Sequence, residues 1–210
     1  MLEHVPHWLG AALKNVRAGA AKLAIVQPEL GNGFATIDLS SPAFAAGARL
    51  PERFTADGAG VSPPLVWGPL PAGTAKLALL VEDADAPAPQ PLVHAVVWNL
   101  PADLQRLAEG EIVADGDGGP DGRDVGRNSY FASGWLPPDP PTGHGVHDYT
   151  FQLFALGSGA GDPGVDPGRA AIVRAMAGHV LGAGLLIGTY ARGDAAPLAS
   201  ATEAVAIQPG

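Results

Sequence analysis

The 210-residue sequence contains no cysteine. Disulfide bonds and thiolate chemistry are therefore excluded, both as supports of the fold and as parts of a reactive site. The absence does not identify a cellular compartment, because disulfides are a feature of some secreted proteins and not a requirement for secretion.

Basic residues are also scarce. The chain has 12 Lys and Arg against 21 Asp and Glu, which gives a formal net charge of −9. This balance argues against a nucleic-acid partner, which needs a basic face, and against adsorption to an anionic membrane. It leaves open a small anionic ligand, because local hydrogen-bond donors decide that kind of binding.

Long hydrophobic runs are lacking as well. The longest, "HVLGAGLLIGTY" at 179–190, is too short to cross a bilayer. The N-terminal stretch has no apolar core of the kind a signal peptide needs, because Glu3, His4, Lys14 and Arg17 interrupt it. We therefore expect a cytoplasmic protein with no stable membrane insertion.

Glycine and proline, by contrast, are abundant, with 29 and 21 residues. They fall between short apolar runs, which is typical of turns that join strands. Several of these runs alternate apolar and polar residues, and others are almost entirely apolar. The pattern predicts a mainly β fold with mostly antiparallel strands. The strand-like runs are 34–41, 76–83, 92–100, 148–156 and 185–191.

Two helices are predicted outside the strands. One covers 7–24, where apolar residues recur at spacings of four, three, four and three. Its apolar face could pack on its own domain or dock on a second subunit. The other covers about 167–181, with Asp166 as N-cap and Pro167 at the first helical position. The stripe of the first helix consists of Leu9, Leu13, Val16, Ala20 and Leu23.

The segment 109–128 is acidic and rich in glycine, so we expect an exposed loop. Its carboxylates could hold a calcium ion, but it lacks the spacing and the bidentate Glu of an EF-hand. We therefore favour a loop without a metal. The acidic residues concerned are Asp115, Asp117, Asp121 and Asp124.

Three polar stretches border predicted strands and suggest a site. Asp83 directly follows an apolar run, His94 begins the next one, and His147 precedes the run at 148–156. If these strands share a sheet, a carboxylate and two imidazoles converge, which favours charged or polarised histidines suited to an anion. Taken singly, each residue has a simpler interpretation as a core histidine, a turn aspartate or a loop residue.

Five blocks, in this order along 34–194, resemble the phosphatidylethanolamine-binding protein family, and its bacterial Raf-kinase-inhibitor-like branch in particular. The resemblance implies a β-sandwich-like fold of two antiparallel sheets with a few peripheral helices. It also implies a small anion-binding cavity at one end of the larger sheet, with no cofactor and no metal. The blocks are "FTADGAGVSPPLVW" (54–67), "LALLVEDADAP" (77–87), "HAVVWNLP" (94–101), "PPTGHGVHDYTFQLFAL" (140–156) and "GHVLGAGLLIGTYAR" (178–192).

Matching the blocks position by position assigns the cavity residues. His144 is expected to be peripheral, and Ala86–Pro87 is a candidate for a cis peptide bond. Two residues depart from the family pattern: Asp148, which alternation directs away from the cavity, and Asp139, whose carboxylate at the rim would repel an anion. The ligand-binding residues implied by the resemblance are Asp83, Asp85, Pro87, His94, Pro140, Pro141, Gly143, His147 and Tyr149.

The function expected from these features is non-catalytic binding of a phosphate or carboxylate headgroup, with modulation of a kinase or protease. The alternative is a metal-dependent hydrolase that uses Asp83, His94 and His147 as ligands. A homodimer is also expected. The domain division is an N-terminal helical extension at 1–30, the family domain at 31–195 and a C-terminal tail at 196–210.

Overall fold

The computed structural model describes residues 7–114 and 124–192. It confirms the predicted fold class: two sheets with few helices, and strands that pair antiparallel except at one edge. Residues 115–123 of the acidic loop, with Asp115, Asp117 and Asp121 of the calcium alternative, and the C-terminal tail lie outside the described residues. The elements are α1 His7–Ala12, β1 Ala35–Thr36, β2 Leu39–Ser40, β3 Leu65–Trp67, β4 Lys76–Asp83, β5 Leu92–Pro101, β6 Arg106–Leu107, β7 Asp124–Val125, β8 His147–Leu156, α2 Arg169–Met176 and β9 Val180–Tyr190.

The larger sheet has six strands in the order β1-β9-β8-β4-β5-β7, and the smaller has three in the order β2-β3-β6. β4 lies inside the larger sheet, paired with β5 on one side and β8 on the other. Its alternate residues enter two different hydrophobic cores: Leu79 and Val81 on one face, Ala78 and Leu80 on the other. Burial on both faces explains why this strand is an almost unbroken apolar run.

One core fills the space between the two sheets and contains Phe54, Phe151 and Leu153. The second core lies on the opposite face of the larger sheet, where α2 and the N-terminal segment cover it with Ile172 and Leu30. Among the described residues, no helix is long and apolar enough to span a bilayer.

The prediction of a helix over 7–24 is wrong, because α1 ends at Ala12. Gly19 adopts φ 97°, a left-handed conformation that interrupts a helix. The backbone N–H groups of Ala18 and Gly19 donate instead to the loop that follows β4. Only short 3-10 turns follow, and the apolar stripe does not form one face, since Val16 is 47% exposed.

The other predicted helix, 167–181, is shorter than expected. α2 covers Arg169–Met176 with Gly168 as N-cap, and Asp166 lies outside it. Gly178, at φ 72°, ends the turn and allows β9 to begin at Val180. The run at 34–41 also divides, because β1 joins the larger sheet and β2 the smaller.

Candidate functional site

The candidate site lies at one end of the larger sheet, where three neighbouring strands begin or end. Asp83 is the last residue of β4, and it pairs in register with Leu92 on β5 and Tyr149 on β8. The antiparallel pairing therefore brings His94 and His147 to the same end as Asp83. Between them lies a cavity of about 280 Å³, close to the lower limit for ligand pockets and suited to a small group.

Seven of the nine sequence-predicted residues line this cavity: Asp83, Pro87, His94, Pro140, Pro141, His147 and Tyr149. The remaining two do not. Gly143 shapes the loop before β8 with φ 85°, and Asp85 braces the loop after β4. Further lining residues that sequence reasoning did not assign are Ala56, Ala86, Ala88, Leu92, Tyr130, Leu136 and Pro137, with Asp139 at the rim as expected.

Asp85 connects the loop after β4 to its surroundings. Its backbone N–H donates to Asp83 Oδ1 over 2.8 Å, so the loop turns back on the strand end. One of its carboxylate oxygens accepts from the Asp148 backbone N–H, and the other forms an ion pair with Arg17. Asp148 is exposed, as the strand alternation predicts. The peptide bond between Ala86 and Pro87 is trans, so the cis prediction is wrong.

A chain of buried polar groups runs from the cavity towards the N-terminal segment. His147 Nδ1 lies 2.7 Å from Asp83 Oδ2, and His147 Nε2 lies 2.7 Å from His144 Nδ1. His144 Nε2 then lies 2.9 Å from the carbonyl oxygen of Leu13. His144 is 0% exposed, and it lies behind His147 without lining the cavity. The local sequence does not reveal this, because the contact joins residues 131 positions apart.

His94 is held from the other side of the cavity. Its Nδ1 atom donates to the carbonyl of Leu136 over 2.6 Å, and its ring meets Tyr149 edge-on at 5.0 Å. Burial lowers the pKa of His94, although Asp83 and the Leu136 carbonyl oppose this effect. His94 is therefore neutral near pH 7, so of the two states expected from the sequence, charged or polarised, only the second applies to this histidine. Its Nε2 atom has no hydrogen-bond partner among the described residues.

The rim carboxylate of Asp139 is not the isolated charge that the sequence suggests. Arg192 Nη1 lies 2.5 Å from Asp139 Oδ1, and Arg192 Nη2 lies 2.7 Å from Asp57 Oδ1. Asp57 also accepts a 2.6 Å hydrogen bond from the Tyr190 hydroxyl. The Arg192 guanidinium therefore offsets the negative charge of these two carboxylates at the rim of the cavity. Arg192 ends the last of the family-like blocks, but nothing in its sequence position indicates this pairing.

The proposed metal ligands do not form a metal site. Among residues 7–114 and 124–192, no group of three or more His, Asp and Glu is arranged to hold a metal ion. Both ring nitrogens of His147 are engaged by Asp83 and His144, so no lone pair is left for a metal. The hydrolase alternative therefore finds no support in the geometry.

Two packed sheets with a small cavity at the strand ends define a class of β protein suited to holding a compact ligand. The chain belongs to the phosphatidylethanolamine-binding protein family, whose model matches residues 40–191. It is 40% identical over 158 residues to a UPF0098 protein of Methanothermobacter thermautotrophicus, covering 75% of this chain and all of the relative.

Two solved structures show the same architecture. YbcL of Escherichia coli, described as a member of the mammalian PEBP family, superposes with a TM-score of 0.68 at 26% identity, covering 75% of this chain and 99% of that one. The PEBP homolog CT736 of Chlamydia trachomatis gives 0.65 at 31% identity, covering 74% and 97%. The family likeness predicted from the sequence blocks is therefore confirmed.

Proposed function

We propose that the chain is a non-catalytic binding protein that holds one small anionic group, a phosphate or a carboxylate, in the cavity. The observation that carries the proposal is His94 Nε2, a buried nitrogen without a hydrogen-bond partner among the described residues, on a side chain that lines the cavity. Leaving such an atom unpaired costs about 1–3 kcal/mol, which a ligand oxygen would offset.

The tautomer of His94 decides what kind of anion fits. Nδ1 donates to Leu136, so the neutral ring presents a lone pair at Nε2. An anionic oxygen pairs with this lone pair only if one proton lies between them. The ligand can carry that proton, as a monoprotonated phosphate does, or His94 can take it up. Phosphate already carries such a proton near neutral pH, so its binding needs no proton uptake. A carboxylate such as acetate pairs with Nε2 only if His94 takes up a proton, so its binding is favoured as the pH falls.

The charges around the cavity allow an anion to enter. Asp83 faces His147, and Asp139 faces Arg192, so each lining carboxylate has a basic partner. Among the described residues, those that line the cavity include no serine, threonine, cysteine or lysine, which are common nucleophiles. Since His147 has both nitrogens engaged, it also offers no free base. These features favour binding over turnover.

The test is calorimetric titration with phosphate and with acetate, in two buffers of different ionisation enthalpy, between about pH 6 and about pH 8. We expect saturable binding of both anions. Acetate should bind with an uptake of close to one proton per site and with an affinity that rises as the pH falls, whereas phosphate should bind with little proton uptake. Chloride at matched ionic strength is the control. An acetate affinity that does not change with pH, or release of a chemically altered ligand, would contradict the proposal.

Two His94 variants sharpen the test. His94→Gln places a permanent N–H donor close to the position of Nε2, so we expect anion binding with little pH dependence. His94→Leu removes the polar atom at similar volume, and we expect binding to be lost. Equal affinity in the leucine variant and the unchanged chain would show that the anion binds elsewhere.

Modulation of a kinase or protease, a homodimeric state and a cytoplasmic location all stay predictions. The proposal does not depend on them, because the cavity is formed by residues of one chain. It concerns the ligand class alone, and it does not name the source of the anionic group.

A further inference from the structure

The N-terminal segment from Gly10 to Gly19, here called the strap, packs against the loop that precedes β8. A Cβ atom at Gly10 would lie 2.2 Å from the carbonyl oxygen of Thr142, so only glycine allows this approach. The carbonyl oxygens of Leu13 and Val16 lie 2.9 and 3.3 Å from His144 Nε2. The strap thus contacts the loop through backbone atoms that can only accept a hydrogen bond.

The strap also holds the loop after β4, on the other side of the cavity. Ala18 N–H donates to Ala86 O over 3.0 Å, and Gly19 N–H donates to Ala84 O over 2.8 Å. Arg17 forms an ion pair with Asp85 and donates to the carbonyl of Val146 over 3.1 Å. One short segment therefore joins both loops that carry cavity residues. It precedes residues 40–191, the range that the family model matches.

The carbonyls of the strap dictate the direction of the hydrogen bonds in the buried chain. Because a carbonyl only accepts, His144 Nε2 must carry a proton. Burial first, and then the nearby charge of His147, lower the pKa of His144, so its ring is neutral and Nδ1 is a bare acceptor. His147 Nε2 must therefore donate to it.

A count of protons gives the consequence. The three hydrogen bonds from Asp83 through His147 and His144 to Leu13 need three protons, and two neutral imidazoles supply only two. The third proton gives His147 a second N–H while Asp83 stays ionised, or else it resides on Asp83. The charged groups near this chain are Asp85 and Arg17, which form an ion pair with each other, and Asp148, whose charge interacts with His147 and Asp83. His94 is neutral.

We propose that His144 is a positioning residue, held by the strap, that fixes His147 as a double donor and so places a positive charge beside the cavity. The strap thereby sets the affinity of the cavity for an anion. This inference rests on the proposed anion-binding function, but its first test does not require a ligand.

The first test compares His144→Asn with His144→Leu, two side chains of nearly equal shape. The asparagine oxygen can still accept from His147 Nε2, whereas leucine cannot. With 15N-labelled histidine at neutral pH, we expect proton-bearing signals for both His147 ring nitrogens in the unchanged chain and in the asparagine variant. In the leucine variant we expect a bare Nε2. The same two proton-bearing signals in all three proteins, or a bare Nδ1 or Nε2 on His147 in the unchanged chain, would overturn the proposal.

The second test measures phosphate affinity in the same proteins. Loss of the charge on His147 should weaken binding about tenfold in the leucine variant, with the asparagine variant close to the unchanged chain. If the unchanged chain binds no phosphate, the proposed function fails, while the 15N comparison still decides the role of His144. Equal weakening in both variants would contradict the hydrogen-bond argument.

The role of the strap is tested by Arg17→Ala, with Lys14→Ala as the matched control because Lys14 is an exposed cation on the same segment. We expect faster hydrogen exchange at the Ala18 and Gly19 amides and weaker phosphate binding for the Arg17 variant only. Faster exchange with unchanged affinity and unchanged His147 signals would show that the strap does not act on the cavity.

Discussion

The ion pair between Arg192 and Asp139 makes a sharp prediction about the cavity. Arg192→Gln removes the guanidinium that pairs with both Asp139 and Asp57. Both carboxylates would lose this counter-charge while remaining close to the cavity. Burial alone would disfavour the charged form of Arg192, but its two carboxylate partners raise its pKa, so the side chain is a cation throughout the working pH range.

The size of the effect follows from the dimensions of the cavity. A sphere of about 280 Å³ has a radius of about 4 Å, which places an anion at its centre about 5 Å from a wall carboxylate. At an effective dielectric constant between about 20 and about 40, the repulsion is about 1.5–3 kcal/mol. Phosphate binding should therefore weaken by about tenfold to a hundredfold.

The assay is phosphate titration by calorimetry at neutral pH, with thermal unfolding to check that each variant is folded. Asp139→Asn in the Arg192→Gln background should recover most of the affinity, because it removes the negative charge that has lost its pairing with Arg192. Arg53→Gln is the control, since Arg53 pairs with Glu109 on an exposed surface. Equal affinity for Arg192→Gln and Arg53→Gln, or no recovery in the double variant, would refute the reasoning.

Two further predictions concern stability and are measured by urea unfolding. Arg169→Met leaves the fully buried Glu82 with only neutral hydrogen-bond donors, so we expect the free energy of unfolding to fall by about 2–4 kcal/mol. Arg174 is exposed, and Arg174→Met should change it little. Equal losses in the two variants would contradict the buried ion pair. Gly188→Ala places a Cβ 2.4 Å from a leucine methyl group and should lower the free energy of unfolding by about 1–3 kcal/mol. Gly168→Ala has open space around it and should be tolerated. An unchanged free energy of unfolding for Gly188→Ala would argue against this close approach.

The sequence predicts the central strands and the polar groups at their ends well, because both depend on local patterns. The runs at 76–83 and 148–156 coincide with β4 and β8 to within a residue. Since antiparallel neighbours in one sheet bring the end of one strand beside the start of the next, Asp83, His94 and His147 were expected together. They do line one cavity, although their role in binding a ligand stays a prediction.

The failures of prediction occur where distant segments determine the local structure. The helix expected over 7–24 gives way to the strap, because backbone contacts to Ala84 and Ala86 replace helical hydrogen bonds. Periodicity reports which residues are apolar, not which partners their backbone will find. The pairing of Arg192 with Asp139 and the burial of His144 have the same origin, since both join residues far apart in the chain.

Glu82 and Asp83 are adjacent on β4, yet they point to opposite faces of the sheet: Glu82 towards Arg169 beneath α2, and Asp83 into the cavity. A slip of this strand by one residue would exchange the two faces. Each acid would then lie in a layer that lacks its basic partner. The two neighbouring carboxylates therefore disfavour a shifted register of β4 during folding, because a misaligned pairing would bury an unpaired charge in an apolar layer.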